Sequence, residues 1–125
     1  MIADSNFEAR AKDITWTALR IVAGVLIAFH GMQKLFGVLA DHPQPPIGSQ
    51  LWIGGAIELF GGLLVAVGFL TRPAAFLLSG TMAVAYFQFH WKLQGGEQVF
   101  PIKNGGELPA VYAFVFLAIT AFGAG

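Results

Sequence analysis

The sequence predicts an all-α fold, a four-helix transmembrane bundle with its N- and C-termini on the same side of the membrane. Three observations carry that expectation. Hydrophobic residues make up 56% of the 125 and charged residues only 11%, about half the charged fraction of an ordinary soluble domain. Mean hydropathy is +0.68, and so few charges cannot cover the surface of the single small domain that this length allows. Finally, four apolar segments are each long enough to cross about 30 Å of hydrocarbon at ~1.5 Å per residue.

The elements follow in order. Residues 1–13 (MIADSNFEARAKD) are polar and mixed in charge, a short amphipathic or disordered lead-in. They do not read as a signal peptide, because the apolar segment behind them is too long and no A-x-A site closes it. Residues 14–125 form the membrane domain, with spans at about 14–36, 50–70, 73–91 and 107–122. Thr71-Arg72-Pro73 makes a tight turn, since proline ends one helix and suits the first turn of the next. The other two connections are long: GVLADHPQPPIGS is rich in Pro and includes His42, and KLQGGEQVFPIKNGG is rich in Gly.

Alternation places both termini and the 71–73 turn on one side, here side A, and both long connections on side B. Side A carries Arg10, Lys12, Arg20 and Arg72, and side B carries Lys34, Lys92 and Lys103. An excess of basic residues marks the cytoplasmic side, so side A is expected to be cytoplasmic.

Charge and composition exclude several functions. With seven basic and seven acidic residues the net charge is zero, and there is no basic stripe for nucleic acid. The chain has no cysteine, which removes disulfides, thiolate nucleophiles and Cys-ligated metal centres. Redox chemistry would therefore need a bound cofactor or a partner protein. A metal site is not expected either, because no H-x-x-x-H or E-x-x-H spacing occurs.

Polar residues gather towards side B. His30-Gly31-Met32-Gln33-Lys34 ends span one, with His30 and Lys34 one helical turn apart and Gln33 beside them. Glu58 lies two turns into span two, where an unpaired carboxylate would be costly. At about 100° per residue, Gly54, Glu58, Gly61, Val65 and Gly68 share a small, smooth face that another helix can approach closely. Glu58 then reads equally as a proton or ligand site and as half of a buried ion pair with Lys34 or an imidazole. Lys34 alternatively snorkels to the interface. Tyr86 and His90 are one turn apart at the end of span three, where YFQFHW also reads as an interfacial aromatic belt. Asn104 and Glu107 have the spacing of a capping box at the start of span four.

Taken together, LRIVAGVLIAFHGMQKLFG, GGAIELFGGLLVAVGFLTRPAA, MAVAYFQFHW and FPIKNGGELPAVYAFVFL resemble the DoxX family of small four-helix membrane proteins, from about Leu19 to Phe122. The matching positions are His30, Gly31, Lys34, Glu58, Gly61, Thr71, Arg72, Asn104, Gly105, Gly106 and Glu107. The resemblance implies a place in the membrane part of redox systems, such as the quinone-reducing side of thiosulfate oxidation or partnerships with redox proteins in oxidative-stress defence. It carries no settled catalytic residue, and the absence of cysteine departs from members that work with thiols.

The expected function is an integral membrane subunit linked to electron transfer, an oxidoreductase component of a bacterial inner membrane. It would bind a quinone or similar lipid-soluble ligand in a polar pocket in one membrane half. His30, Lys34, Glu58, Tyr86, His90 and Glu107 are the candidate ligand-binding residues. His30 or Lys34 would donate to a carbonyl, and Glu58, with His30 the catalytic candidates, would exchange protons. Partners would be the bilayer, other membrane or redox proteins, or further copies of the chain. Two alternatives remain open: a non-catalytic scaffold or accessory subunit of a larger membrane complex and, less favoured, a transporter of a small solute or protons.

Overall fold

The structure, a computed structural model, describes residues 2–41 and 43–125, with side chains from Asn6 onward. His42 lies outside the described residues. Among these residues every regular element is helical.

Helix α1 runs unbroken over Ile2–Phe36, roughly 50 Å of helix, so the polar lead-in is helical and continuous with the apolar stretch that follows. Helix α2, Gln50–Val67, starts at Ser49, whose hydroxyl accepts from the Trp52 N–H at 3.3 Å. It stops at Gly68, whose left-handed backbone (φ 81°) lets the N–H groups of Gly68 and Phe69 reach the Leu64 carbonyl, each at 3.0 Å. The turn therefore comes at 68–70, slightly before Thr71-Arg72-Pro73, and helix α3, Thr71–Ala85, begins on those three residues. From Tyr86 to Trp91 α3 widens into a π-helix, and the Lys92 N–H reaches back five residues to the Phe87 carbonyl at 3.0 Å. Lys92 and Leu93 both take left-handed backbone, which ends the helix abruptly.

The capping box expected at Asn104 and Glu107 does not form. Asn104 is the last residue of the one-turn helix α4, Pro101–Asn104, and helix α5, Glu107–Phe122, starts after Gly106 with no side-chain cap. The Asn104 side chain is engaged elsewhere: its Oδ1 accepts from the Gly106 N–H at 2.8 Å, and its Nδ2 donates to the Tyr86 hydroxyl at 3.1 Å and the Gln98 carbonyl at 3.0 Å. Gly106 lies flat against the Tyr86 ring, where a Cβ would sit 2.6 Å from a ring carbon.

Four long helices pack as two antiparallel pairs, α1 on α2 and α3 on α5, joined chiefly through α2 and α3. Ile27, Val65, Ala75, Leu78, Phe116 and Ile119 form the centre of a core that is closed to the outside. The α3–α5 pair is tied by the Ser79 hydroxyl, which donates to the Ala113 carbonyl at 2.7 Å. Large apolar side chains elsewhere face outward along every long helix, including Val22, Phe29, Phe60, Phe76, Leu117 and Phe122. Among the described residues, Asn6–Phe36 and Gln50–Val67 are long and apolar enough to cross a membrane, and Glu107–Phe122 is a shorter apolar helix.

The smooth face that receives α1 differs from the one the sequence suggested. Gly55 and Gly62 meet α1, not Gly54 and Gly61. A Cβ on Gly62 would sit 2.5 Å from the Gly24 carbonyl, and one on Gly31 would sit 2.5 Å from the Gly55 carbonyl. Two glycines seven residues apart on each helix thus bring the backbones into contact. Gly54 and Gly61 turn towards α3, next to Thr81 and Leu78.

Gly62→Ala is expected to force the α1–α2 backbones apart and destabilise the protein by about 1–3 kcal/mol. Gly80→Ala, where nothing lies within 4 Å of the added carbon, is expected to be neutral or to stabilise. Thermal unfolding of the two variants in the same detergent checks the contrast.

Candidate ligand-binding site

The close approach of α1 and α2 determines where the buried charge goes. Glu58 is 1% exposed, in the middle of α2. Lys34, in the last turn of α1, passes its stem across Gly55, whose absent Cβ would stand 2.7 Å from the lysine Cβ. This route delivers the ammonium to Glu58 Oε1, with which it forms an ion pair and hydrogen bond. The lysine side chain keeps 27% of its surface exposed, against 2% for Glu58. A carboxylate in this position requires such a partner, because an unpaired buried charge costs far more than the pair returns in net stability.

The pair borders a cavity of about 760 Å³ between α2 and α3, within the range of small-molecule sites. Its polar lining includes Lys34, Glu58, Thr81 and His90; the remainder is mostly apolar, including Ile53, Ile57, Phe76, Leu77 and Phe89. Several of these apolar residues are exposed on the outer surface of the two helices, so the cavity opens sideways, away from the bundle core. Pro43 and Pro45 of the Pro-rich connection and Gln50 line its other end. There the Gln50 amide donates to Gln88 Oε1 at 2.5 Å, linking the start of α2 to the π-helix.

Three of the six candidate residues, Lys34, Glu58 and His90, therefore share one cavity. The other three stand apart. His30 packs edge-on against Tyr112 of α5, with ring centroids 6.2 Å apart. Tyr86 receives the Asn104 hydrogen bond and packs against Gly106, and Glu107 is exposed at the first residue of α5. His30 and Lys34 share a helix face, but the turn between them lets one side chain reach towards α5 and the other across to α2.

Thr81 and Gln50 were not singled out by the sequence, although both line the cavity. Thr81 gives only a weak signal in an apolar helix, where its hydroxyl donates to the Leu77 carbonyl at 2.8 Å. The π-helix that carries His90 leaves no sequence signature, but such widened turns recur at functional sites. Among the described residues, no three His, Asp or Glu side chains converge as a metal-binding group.

A family model described as DoxX matches residues 15–91. The chain belongs to the DoxX family. An uncharacterized protein of Haemophilus influenzae is 40% identical over 110 residues, which cover 86% of this chain and 81% of that protein. No solved structure matches. The match runs from the first turns of the apolar part of α1 to the end of the π-helix, so all three charged or imidazole groups of the cavity lie within the DoxX region. Family and apolar helices together make this a membrane protein.

In this DoxX-family chain, breaking the ion pair from one side is expected to be worse than removing it whole. Lys34→Met should destabilise by about 3–5 kcal/mol because Glu58 is left buried and alone, whereas Lys34→Met with Glu58→Leu should recover most of that loss. Melting temperatures of the single and double variants, compared in one detergent, decide the matter.

Proposed function

We propose that the protein is a four-span subunit of a bacterial inner membrane that binds a quinone or similar lipid-soluble ligand in the α2–α3 cavity and takes part in electron transfer. The observation that carries this reading is the cavity itself: apolar walls opening sideways from the bundle, with a buried ion pair and an imidazole in its lining. A quinone asks for that combination. It enters from the hydrocarbon, its ring and tail prefer apolar walls, and its carbonyls need donors together with a proton route.

The spans are α1 from about residue 14, α2, α3 with its π-helical extension, and α5. Side A faces the cytoplasm. Arg20 is buried and Lys34 is held by Glu58, so the surface comparison becomes Arg10, Lys12 and Arg72 on side A against Lys92 and Lys103 on side B. That still favours a cytoplasmic side A.

Reduction of a bound quinone to the quinol takes two electrons and two protons. The chain has no cysteine to carry the electrons, so they come from a partner redox protein. The protons pass through Glu58, which is paired with Lys34, and His90 or Lys34 donates to a carbonyl oxygen. His30 lies against Tyr112, outside this arrangement, which leaves Glu58 as the preferred acid–base group.

The test has two parts. Purified protein should retain quinone in stoichiometric amount, and Gly80→Phe, which fills the cavity from an open position on α3, should abolish retention without lowering the melting temperature. Glu58→Gln should lower quinone reduction by the reconstituted complex about 100-fold or more, the scale of a lost acid–base group. Absence of quinone together with full activity of Glu58→Gln would instead favour a scaffold subunit.

A further inference from the structure

Arg20 stands out among the charged residues because it lies deep in the fold and far from the cavity. It is 9% exposed. Its Nη1 donates to the Val65 carbonyl at 2.7 Å and the Ala66 carbonyl at 2.8 Å, and its Nε donates to the Ala124 carbonyl at 3.0 Å. The first two belong to the last turn of α2, where a cation suits the negative end of the helix. Gly68 makes room for the guanidinium, since a Cβ there would sit 3.0 Å from Nη1. Trp16, one turn earlier on α1, donates to the Gly123 carbonyl at 2.9 Å and packs on Phe122. The side-A end of the bundle is thus closed by a guanidinium that cannot lose its proton and by an indole.

Between Arg20 and Glu58 lie about two turns of α2, roughly 10 Å. The core of that interval is closely packed. Ile27, Val65, Leu78, Phe116 and Ile119 are closed off, and the Gly24–Gly62 backbone contact leaves no space for water between α1 and α2. Towards side B the situation reverses. Lys34 is partly exposed in the last turn of α1, it contacts Glu58 directly, and both line the cavity that also holds His90 and Gln50. Among the described residues, the other titratable groups near this level are Tyr112, buried on α5, and His30, which packs against it.

We infer that Glu58 exchanges protons with side B only, through Lys34 and the cavity, because the packed interval and the Arg20 cap close the way to side A. A fixed positive charge adds an electrostatic barrier to protons, and the guanidiniums of Arg20 and of Arg72, which lies against Gly123, both stand at the side-A end. The inference rests on the four-span reading above. Its consequence is directional: protons taken up or released at the cavity are drawn from or delivered to the side opposite the termini.

The natural absence of cysteine makes the experiment clean, since each single-cysteine variant carries one thiol. Gln50→Cys, Gly54→Cys and Thr81→Cys sample the cavity, and Ala23→Cys and Leu64→Cys sample the interval towards Arg20. In oriented vesicles, a membrane-impermeant thiol reagent should label the cavity positions from side B only and leave the interval unlabelled from either side. In proteoliposomes loaded with a pH-sensitive dye, the wild-type protein should hold an imposed proton gradient. Labelling of the cavity from side A, labelling of the interval, or a wild-type protein that dissipates the gradient would overturn the inference. One-sided labelling in a protein that retains no quinone would leave it standing and remove the quinone reading instead.

Discussion

The backbones of α1 and α2 touch, and most of what is distinctive in this protein depends on that contact. In hydrocarbon there is no hydrophobic force to draw two apolar helices together, so association relies on close van der Waals packing. Gly24 and Gly31 on one helix and Gly55 and Gly62 on the other supply it. The same closeness has a chemical result. Lys34 can reach Glu58 only because no side chain projects from Gly55 into its path. A packing motif and a charge pair are therefore one feature: separating the helices would leave the carboxylate buried without a cation.

The charge pair in turn gives the α2–α3 cavity its polarity. Without it the space would be an apolar furrow suited to any acyl chain. With it, an enclosed carboxylate lies beside a partly exposed ammonium, and His90 approaches from the π-helical end of α3. The π-helix and the Gln50–Gln88 hydrogen bond frame the side-B end, while Asn104 and Gly106 hold Tyr86 and hence the base of that segment. At the opposite end Arg20 and Trp16 bind the carbonyls of α2 and of residues 123–124. The two ends of the bundle thus differ: one carries the polar lining of the cavity, and the other is capped by a buried guanidinium.

Much of the architecture was legible in the sequence. Four apolar stretches become four long helices, and the α2–α3 hairpin expected at Thr71–Pro73 turns at 68–70, within three residues of its anticipated place. Glu58 and Lys34 were recognised as groups needing partners, and pairing with each other was one of the two readings given for Glu58. The Gly54–Gly61 face was expected to admit another helix, and α3 packs there at Gly61, but the backbone-to-backbone contact is made by Gly55 and Gly62 on the neighbouring face. A wheel gives the relative angle of residues on one helix but not which angle faces which neighbour. Likewise the Asn104–Glu107 spacing matches a capping box locally, yet the Tyr86 hydroxyl and the Gln98 carbonyl compete for the same amide and win.

Hydropathy, helix length and helix punctuation are properties of consecutive residues, and the sequence by itself determined them: an all-helical chain, apolar spans, a short hairpin and a shortage of charge that calls for lipid. Which polar residues meet is a property of helix rotation and separation, and only the tertiary structure decided it. His30 and Lys34 are one turn apart on α1, yet one packs against Tyr112 and the other reaches Glu58. Arg20, an unexplained charge in an apolar segment, becomes a cap shared by α2 and the chain's last residues. The reason is the same in each case. A buried polar group must find a partner within hydrogen-bond reach, and the distances between helices that set this reach follow from glycines and core side chains distant in the chain.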